Sequence, residues 1–145
     1  MSAAYLDAAV FVHALGRDDD LREACRSVLA MVRAETIVAQ SSVLTVEEVV
    51  HVRNRRLGDR SRAVQEGRDV ASMVALQEVG RADLDRALEL FGGHPALDPR
   101  DAVHAAIATR IGAPAIISTD ADFDALHDVR RIDPRDARAL AALAR

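Results

Sequence analysis

The stretch Ala4-Tyr5-Leu6-Asp7-Ala8-Ala9-Val10-Phe11-Val12-His13-Ala14-Leu15 decides how the rest of the chain is read. Residues Ala4 to Leu6 form a short apolar run that stops at a carboxylate, after which Val10, Phe11, Ala14 and Leu15 recur at helical spacing. A strand that runs straight into a helix opens a layered α/β arrangement. A carboxylate at the end of a buried strand is costly unless it is paired or holds a cation, so Asp7 is the first candidate functional residue.

The same alternation extends outward. Asp18 to Asp20 offer caps for a helix with apolar positions Leu21, Ala24, Cys25, Val28, Leu29 and Val32, and residues 36–39 are predicted as a second strand. Ser41 or Ser42 caps a helix carrying Leu44, Val46, Val49, Val50 and Leu57, with Gly58 ending it. A polar helix from Asp59 to about Met73 precedes a third strand over Val74, Leu76 and Val79, then a helix over Leu84, Ala87, Leu88 and Phe91 closed by Gly92 and Gly93. Asp98-Pro99 starts an Ala-rich helix that runs to Gly112. Ala115-Ile116-Ile117 is an apolar strand ending at Ser118-Thr119-Asp120, followed by a helical turn around Phe123 and Leu126, an edge strand over Val129 to Ile132, and a helix from Pro134. Parallel strands need crossover connections, so the expected fold is α/β: a three-layer α/β/α sandwich with a central, mainly parallel four- or five-stranded sheet, one domain over 1–145. Ligands in such sheets gather beyond the carboxyl ends of the strands, where Asp7 and Asp120 fall.

Composition removes several chemistries. All 19 basic residues are Arg, so a P-loop lysine, a Schiff-base lysine and the lysine partner of an aspartyl-phosphate site are excluded. Cys25 is the only cysteine, which excludes an internal disulfide and a multi-cysteine zinc site and suits a reducing cytosol. At 3% aromatic content with no Trp, stacking platforms for single-stranded nucleic acid are scarce. No apolar run reaches the ~20 residues of a membrane span, so a soluble, cytoplasmic protein is expected. A serine-nucleophile elbow is absent, and a calcium loop starting at Asp120 has Ala125 and Arg131 where Gly and Glu are needed.

Acidic residues stand beside apolar sequence at four places: Asp7; Glu48 in Ser42-Val-Leu-Thr-Val-Glu-Glu48; Asp101 in Asp98-Pro-Arg-Asp101-Ala-Val-His104; and Asp120 with Asp122 in Ser118-Thr-Asp-Ala-Asp-Phe123. Singly, each has a structural explanation, since Asp101 suits the first turn of a helix and Asp120 can cap one. Together, in this order and spacing, they resemble the PIN domains and, within them, the VapC-type toxins of bacterial toxin–antitoxin pairs. Tyr5-Leu6-Asp7 with Val10-Phe11-Val12 is similar to the family's first acidic motif, and Ser42 to Val49 to the second, its distance from the serine favouring Glu48 over Glu47. Asp101-Ala-Val-His-Ala-Ala is similar to the third, and Ser118 to Phe123 to the fourth, with Arg130-Arg131-Ile132-Asp133-Pro134 closing the pattern. The chain departs at Ala8 and Ala9, where the family commonly carries Thr or Ser and then Asn or Ser.

The resemblance implies a metal-dependent endoribonuclease that forms a homodimer and is neutralised by a small VapB-like antitoxin. Hard cations such as Mg2+ or Mn2+ prefer oxygen ligands, which a carboxylate cluster supplies. In this reading Asp7 and Asp101 bind the principal metal, Glu48 positions water, Asp120 completes the site and Asp122 is a weaker ligand. Arg53, Arg55 and Arg56 begin a stretch to Arg68 with a surplus of four positive charges, a candidate contact for RNA phosphates. Two alternatives remain beside it. The spacings Glu48-x-x-His51 and Asp101-x-x-His104 suit a di-iron carboxylate site, and Ala8 and Ala9 suit a PIN-like interaction module with little or no catalysis.

Overall fold

The chain runs β1 (Ala4–Leu6), α1 (Ala8–Leu15), α2 (Asp20–Arg33), β2 (Ala39–Ser42), α3 (Val43–Leu57), α4 (Arg60–Met73) and β3 (Ala75–Gln77). It continues through α5 (Arg81–Gly93), α6 (Pro99–Arg110), β4 (Ala115–Ile117), a 3-10 turn (Ala121–Ala125), β5 (Arg130–Ile132) and α7 (Ala137–Leu143). In the computed structural model, which describes residues 2–16 and 19–144, five strands form one sheet in the order β3-β2-β1-β4-β5. Every pairing is parallel. Alternation along the short strands feeds two cores. Ala4, Leu6, Ala115, Ile117 and Ile132 pack with α1, α2 and α7 on one face. Tyr5 and Ile116 pack with α5, α6 and Phe123 on the other. The three layers expected from the sequence are therefore present. No helix among the described residues is long and apolar enough to cross a membrane.

From β1 the chain winds one way to β2 and β3 and the other way to β4 and β5, so the direction reverses between β1 and β4. In open α/β sheets such a reversal is where a ligand crevice forms, here at the carboxyl ends of these two strands. Asp7 N–H donates to Ile117 O at 3.1 Å, which fixes the exit of β1 against the end of β4.

Some boundaries differ from those predicted, and some predicted caps are narrowed to one residue. The second strand lies at Ala39–Ser42 rather than 36–39, because its polar residues find buried partners: Ser41 Oγ donates to Leu6 O at 2.7 Å. Ser42, not Ser41, caps α3, accepting from Thr45 N–H. Asp19 caps α2, and Asp18 lies outside the described residues. Val79 falls beyond β3. Helix α5 runs through Gly93, and α7 starts only at Ala137, where Asp136 accepts from Ala139 N–H. Gly58 ends α3 at φ 64°, a left-handed conformation that glycine adopts without strain.

Candidate active site

Different elements deliver the acidic side chains to the crevice. Asp7 follows β1 at the start of α1; Asp120 lies beyond β4 and caps the 3-10 turn. Asp101 sits in the first turn of α6, where Asp98 takes over the capping by accepting from Asp101 N–H at 2.8 Å. Glu48 is in the second turn of α3 and half-buried, whereas its neighbour Glu47 is exposed.

Asp7 is 6% exposed. Its Oδ2 accepts from Ser118 Oγ at 2.7 Å, and the same hydroxyl oxygen accepts from Asp120 N–H at 3.0 Å. One serine thus ties the end of β1 to the loop after β4. Ligand atoms of Asp7, Glu48 and His104 lie within 4.8 Å of one another, and those of Asp101, Asp120 and Asp122 form a second such group. The two groups are coupled electrostatically. Burial, reinforced by the negative charges of Asp98, Asp120 and Asp7, pushes the Asp101 carboxyl up to about 7. Burial also raises Asp7, opposed by His104 and the Ser118 hydroxyl and reinforced by Glu48. Asp122 is exposed at the rim, its carboxyl raised mainly by the charge of Asp120. The expected acids therefore fall into two groups, Asp7 with Glu48 and Asp101 with Asp120 and Asp122, linked through Ser118 and by the influence of Asp7 on Asp101.

In the sequence His104 belongs to the third acidic motif and to one of the two di-iron spacings, and in the structure it stands beside Asp7 and Glu48. It is fully buried, with Nε2 3.1 Å from Glu48 Oε1 and 3.6 Å from Asp7 Oδ1. Burial works against its charge, but the hydrogen bond to Glu48 and the influence of Tyr5, Asp7 and Glu48 outweigh it and raise the imidazole to about 10. The signal that finds it is position: one helical turn after Asp101, on the face of α6 turned towards the sheet. The di-iron arrangement is not assembled, because His51, its second histidine, is exposed.

Arg53 does not belong to the exposed basic surface expected from the sequence. Arg53 is buried at 5% exposure and its guanidinium is engaged by Glu66, at 2.7 Å from Nε and 3.2 Å from Nη2. It joins α3 to α4 and is not available to a phosphate. Arg55 and Arg56 are exposed on the last turns of α3.

An oxygen-rich, self-repelling set of this kind fits a hard divalent cation. Thr45, one turn before Glu48, buries a hydroxyl without a protein partner, so the polar demand of this region is not met by the chain alone.

Comparison with known proteins follows the same outline. Residues 4–129 match the PIN domain. The chain is 38% identical over 145 residues to ribonuclease VapC7 of Mycobacterium tuberculosis, covering 95% of each protein. Its fold is similar to the crystal structure of Mycobacterium tuberculosis VapC20, a sarcin–ricin loop cleaving toxin, at a TM-score of 0.72 and 19% identity over 88% of this chain and 99% of that one. It is also similar to a toxin–antitoxin complex from Klebsiella pneumoniae, at a TM-score of 0.67 and 18% identity over 91% and 98%.

Proposed function

The chain belongs to the PIN-domain family, and from that premise we propose that it is a VapC-type toxin, a divalent-metal-dependent endoribonuclease that hydrolyses RNA at the cluster of Asp7, Glu48, Asp101 and Asp120. The observation that carries this reading is that these sequence-distant acids form two electrostatically coupled groups, with Asp7 and Asp120 beyond the carboxyl ends of β1 and β4. Asp7 and Asp101 would hold Mg2+ or Mn2+, with Asp120 completing the oxygen set and Asp122 contributing from the rim. When bound, the ion supplies Lewis-acid polarisation of a phosphoryl oxygen and activation of water. Glu48 would orient an attacking water and receive its proton, a role suited to a half-buried carboxylate held by a single hydrogen bond. Arg55 and Arg56, exposed on α3, hold neighbouring phosphates. A VapB-like antitoxin restrains the activity in the cytoplasm, and the toxin acts as a homodimer.

The test is Asp7→Asn. The variant keeps the size of the side chain and removes its charge, so it folds and loses metal-dependent RNA cleavage down to the level of a mock preparation. Cleavage at the wild-type rate by purified, folded Asp7→Asn protein overturns the assignment.

A further inference from the structure

We propose that His104 is a positioning residue: its Nε2–H holds the Glu48 carboxylate beside Asp7, and a buried chain through Tyr5 and Ser42 fixes the imidazole in that orientation. The inference rests on the active-site reading above and deepens it.

The chain of contacts is continuous. Thr45 N–H donates to Ser42 Oγ at 3.4 Å; Ser42 Oγ lies 2.8 Å from the Tyr5 hydroxyl; Tyr5 lies 2.6 Å from His104 Nδ1; His104 Nε2 lies 3.1 Å from Glu48 Oε1. Tyr5, Ser42, Thr45 and His104 are all fully buried, so water does not compete for these bonds. One set of hydrogen positions satisfies every link: Thr45 to Ser42, Ser42 to Tyr5, Tyr5 to Nδ1, and Nε2–H to Glu48. If the ring carries a second proton, Nδ1–H donates to Tyr5 and Nε2–H still faces Glu48. The remaining tautomer, with hydrogen on Nδ1 alone, sets a nitrogen lone pair against a carboxylate oxygen. The donor role of Nε2 is therefore common to the two favourable states.

The members of the chain are spaced so that each accompanies one acid. Tyr5 is two residues before Asp7, on the same side of β1. His104 is one turn after Asp101 on α6, and Ser42 caps the helix that carries Glu48. Asp7 and Glu48 are like charges with ligand atoms within 4.8 Å of each other, and His104 Nε2 lies within 3.6 Å of both. Without that donor, the half-buried Glu48 relaxes toward solvent and the water it orients is lost. Partners of this kind are worth ~10–100-fold in metal affinity or activity.

The experiment compares wild type, Tyr5→Phe, His104→Gln, His104→Ala and Asp7→Asn. Mn2+ alone is titrated by electron paramagnetic resonance, and kcat and KM are measured separately on an RNA that the wild type cuts. His104→Ala is expected to lower kcat and weaken Mn2+ binding by ~10–100-fold with KM little changed. His104→Gln, whose amide nitrogen reaches the place of Nε2, restores both toward wild type. Tyr5→Phe, which leaves Nδ1 without its partner, lowers kcat several-fold. A merely structural histidine gives no such split between kcat and KM and no rescue by Gln. Should His104→Ala fail to fold, judged by circular dichroism, the Tyr5→Phe and His104→Gln pair decides alone. Wild-type kcat in Tyr5→Phe overturns the proposal, as does a His104→Gln protein that neither binds Mn2+ nor cleaves RNA, the result of a nitrogen ligand lost rather than a donor kept. If Asp7→Asn is inactive while His104→Ala equals wild type, only this inference fails; if Asp7→Asn equals wild type, the site assignment itself fails.

Discussion

Removing one acid from this cluster should make the metal-free protein more stable. Asp101→Asn imitates the protonated side chain, and the Asp98 cap contacts the backbone of residue 101, so the substitution leaves the cap intact. The Asp101 carboxyl is raised from 3.8 to about 7, first by burial and then by Asp98, Asp120 and Asp7. At 1.36 kcal/mol per pH unit, that difference sets a ceiling of about 4 kcal/mol on the cost of ionising it in the folded state. The side chain is partly exposed, and solvent screening reduces the figure to about 1–2 kcal/mol. The sign follows from linkage. Below the unfolded value of 3.8 both states are protonated and there is no difference. As pH rises from there through the folded value of about 7, wild type loses stability relative to the variant, and the loss is complete above it. In EDTA at about pH 8, Asp101→Asn should therefore melt roughly 3–6 °C higher than wild type, a gain that shrinks as pH falls toward about 4. Added Mg2+ or Mn2+ should reverse the order, because wild type gains a ligand-binding contribution that the variant lacks. Differential scanning calorimetry across pH, with and without metal, measures all of this. A variant less stable than wild type in EDTA at the higher pH, or a gain independent of pH, refutes the electrostatic reasoning.

Other perturbations have defined outcomes. Glu66→Ala leaves the Arg53 guanidinium buried without its carboxylate and should cost about 3–5 kcal/mol in urea unfolding; a loss below 1 kcal/mol by that estimate means that Arg53 reaches water. Gly67→Ala places a Cβ about 2.5 Å from Val50 Cγ2 between α3 and α4, and the overpacking of ~1–3 kcal/mol should exceed the ~1 kcal/mol gained in helix propensity; a higher melting temperature contradicts this. Cys25 is fully buried, and burial, helped by Asp133 and Asp19, pushes its thiol up to about 12. It should react with a disulfide reagent only after unfolding, and rapid labelling of the native protein in a colorimetric assay counts against the packing around it.

The fold was legible wherever apolar residues formed the elements and polar ones capped them. Ala115-Ile116-Ile117, the Asp98-Pro99 helix start and the Gly58 stop sit where the sequence puts them. The second strand was displaced because hydrophobicity tracks only one way of satisfying a buried chain. Ser41 and Ser42 are fully buried, one bonded to the backbone of β1 and the other to Tyr5. Pattern reading assigns such residues to a loop, since their partners are far along the chain. The same limit hid His104, whose role depends on Tyr5 at a separation of 99 residues and on Glu48 at 56. Arg53 failed in the opposite direction. Beside Arg55 and Arg56 it looks like part of a basic surface, and only the packing of α4 on α3 shows that its partner is Glu66.

At Ala8 and Ala9 this chain lacks the polar groups that the family resemblance implies after the first aspartate. Ala8 is buried and Ala9 half-buried, and neither has a hydrogen-bonding side chain to offer. Asp7 is nevertheless engaged on both oxygens, Oδ2 by the Ser118 hydroxyl at 2.7 Å and Oδ1 by the approach of His104 Nε2 at 3.6 Å. These groups come from the end of β4 and from α6, not from the first turn of α1. Support for the carboxylate thus shifts from neighbours in sequence to neighbours in space, and Ser118, by also accepting from Asp120 N–H, couples two acids where a hydroxyl at position 8 or 9 would start from the α1 side of the crevice. The departure at Ala8 and Ala9 therefore argues less for a vestigial site than the sequence alone suggests, since the carboxylate of Asp7 remains oriented by Ser118 and His104, both fully buried.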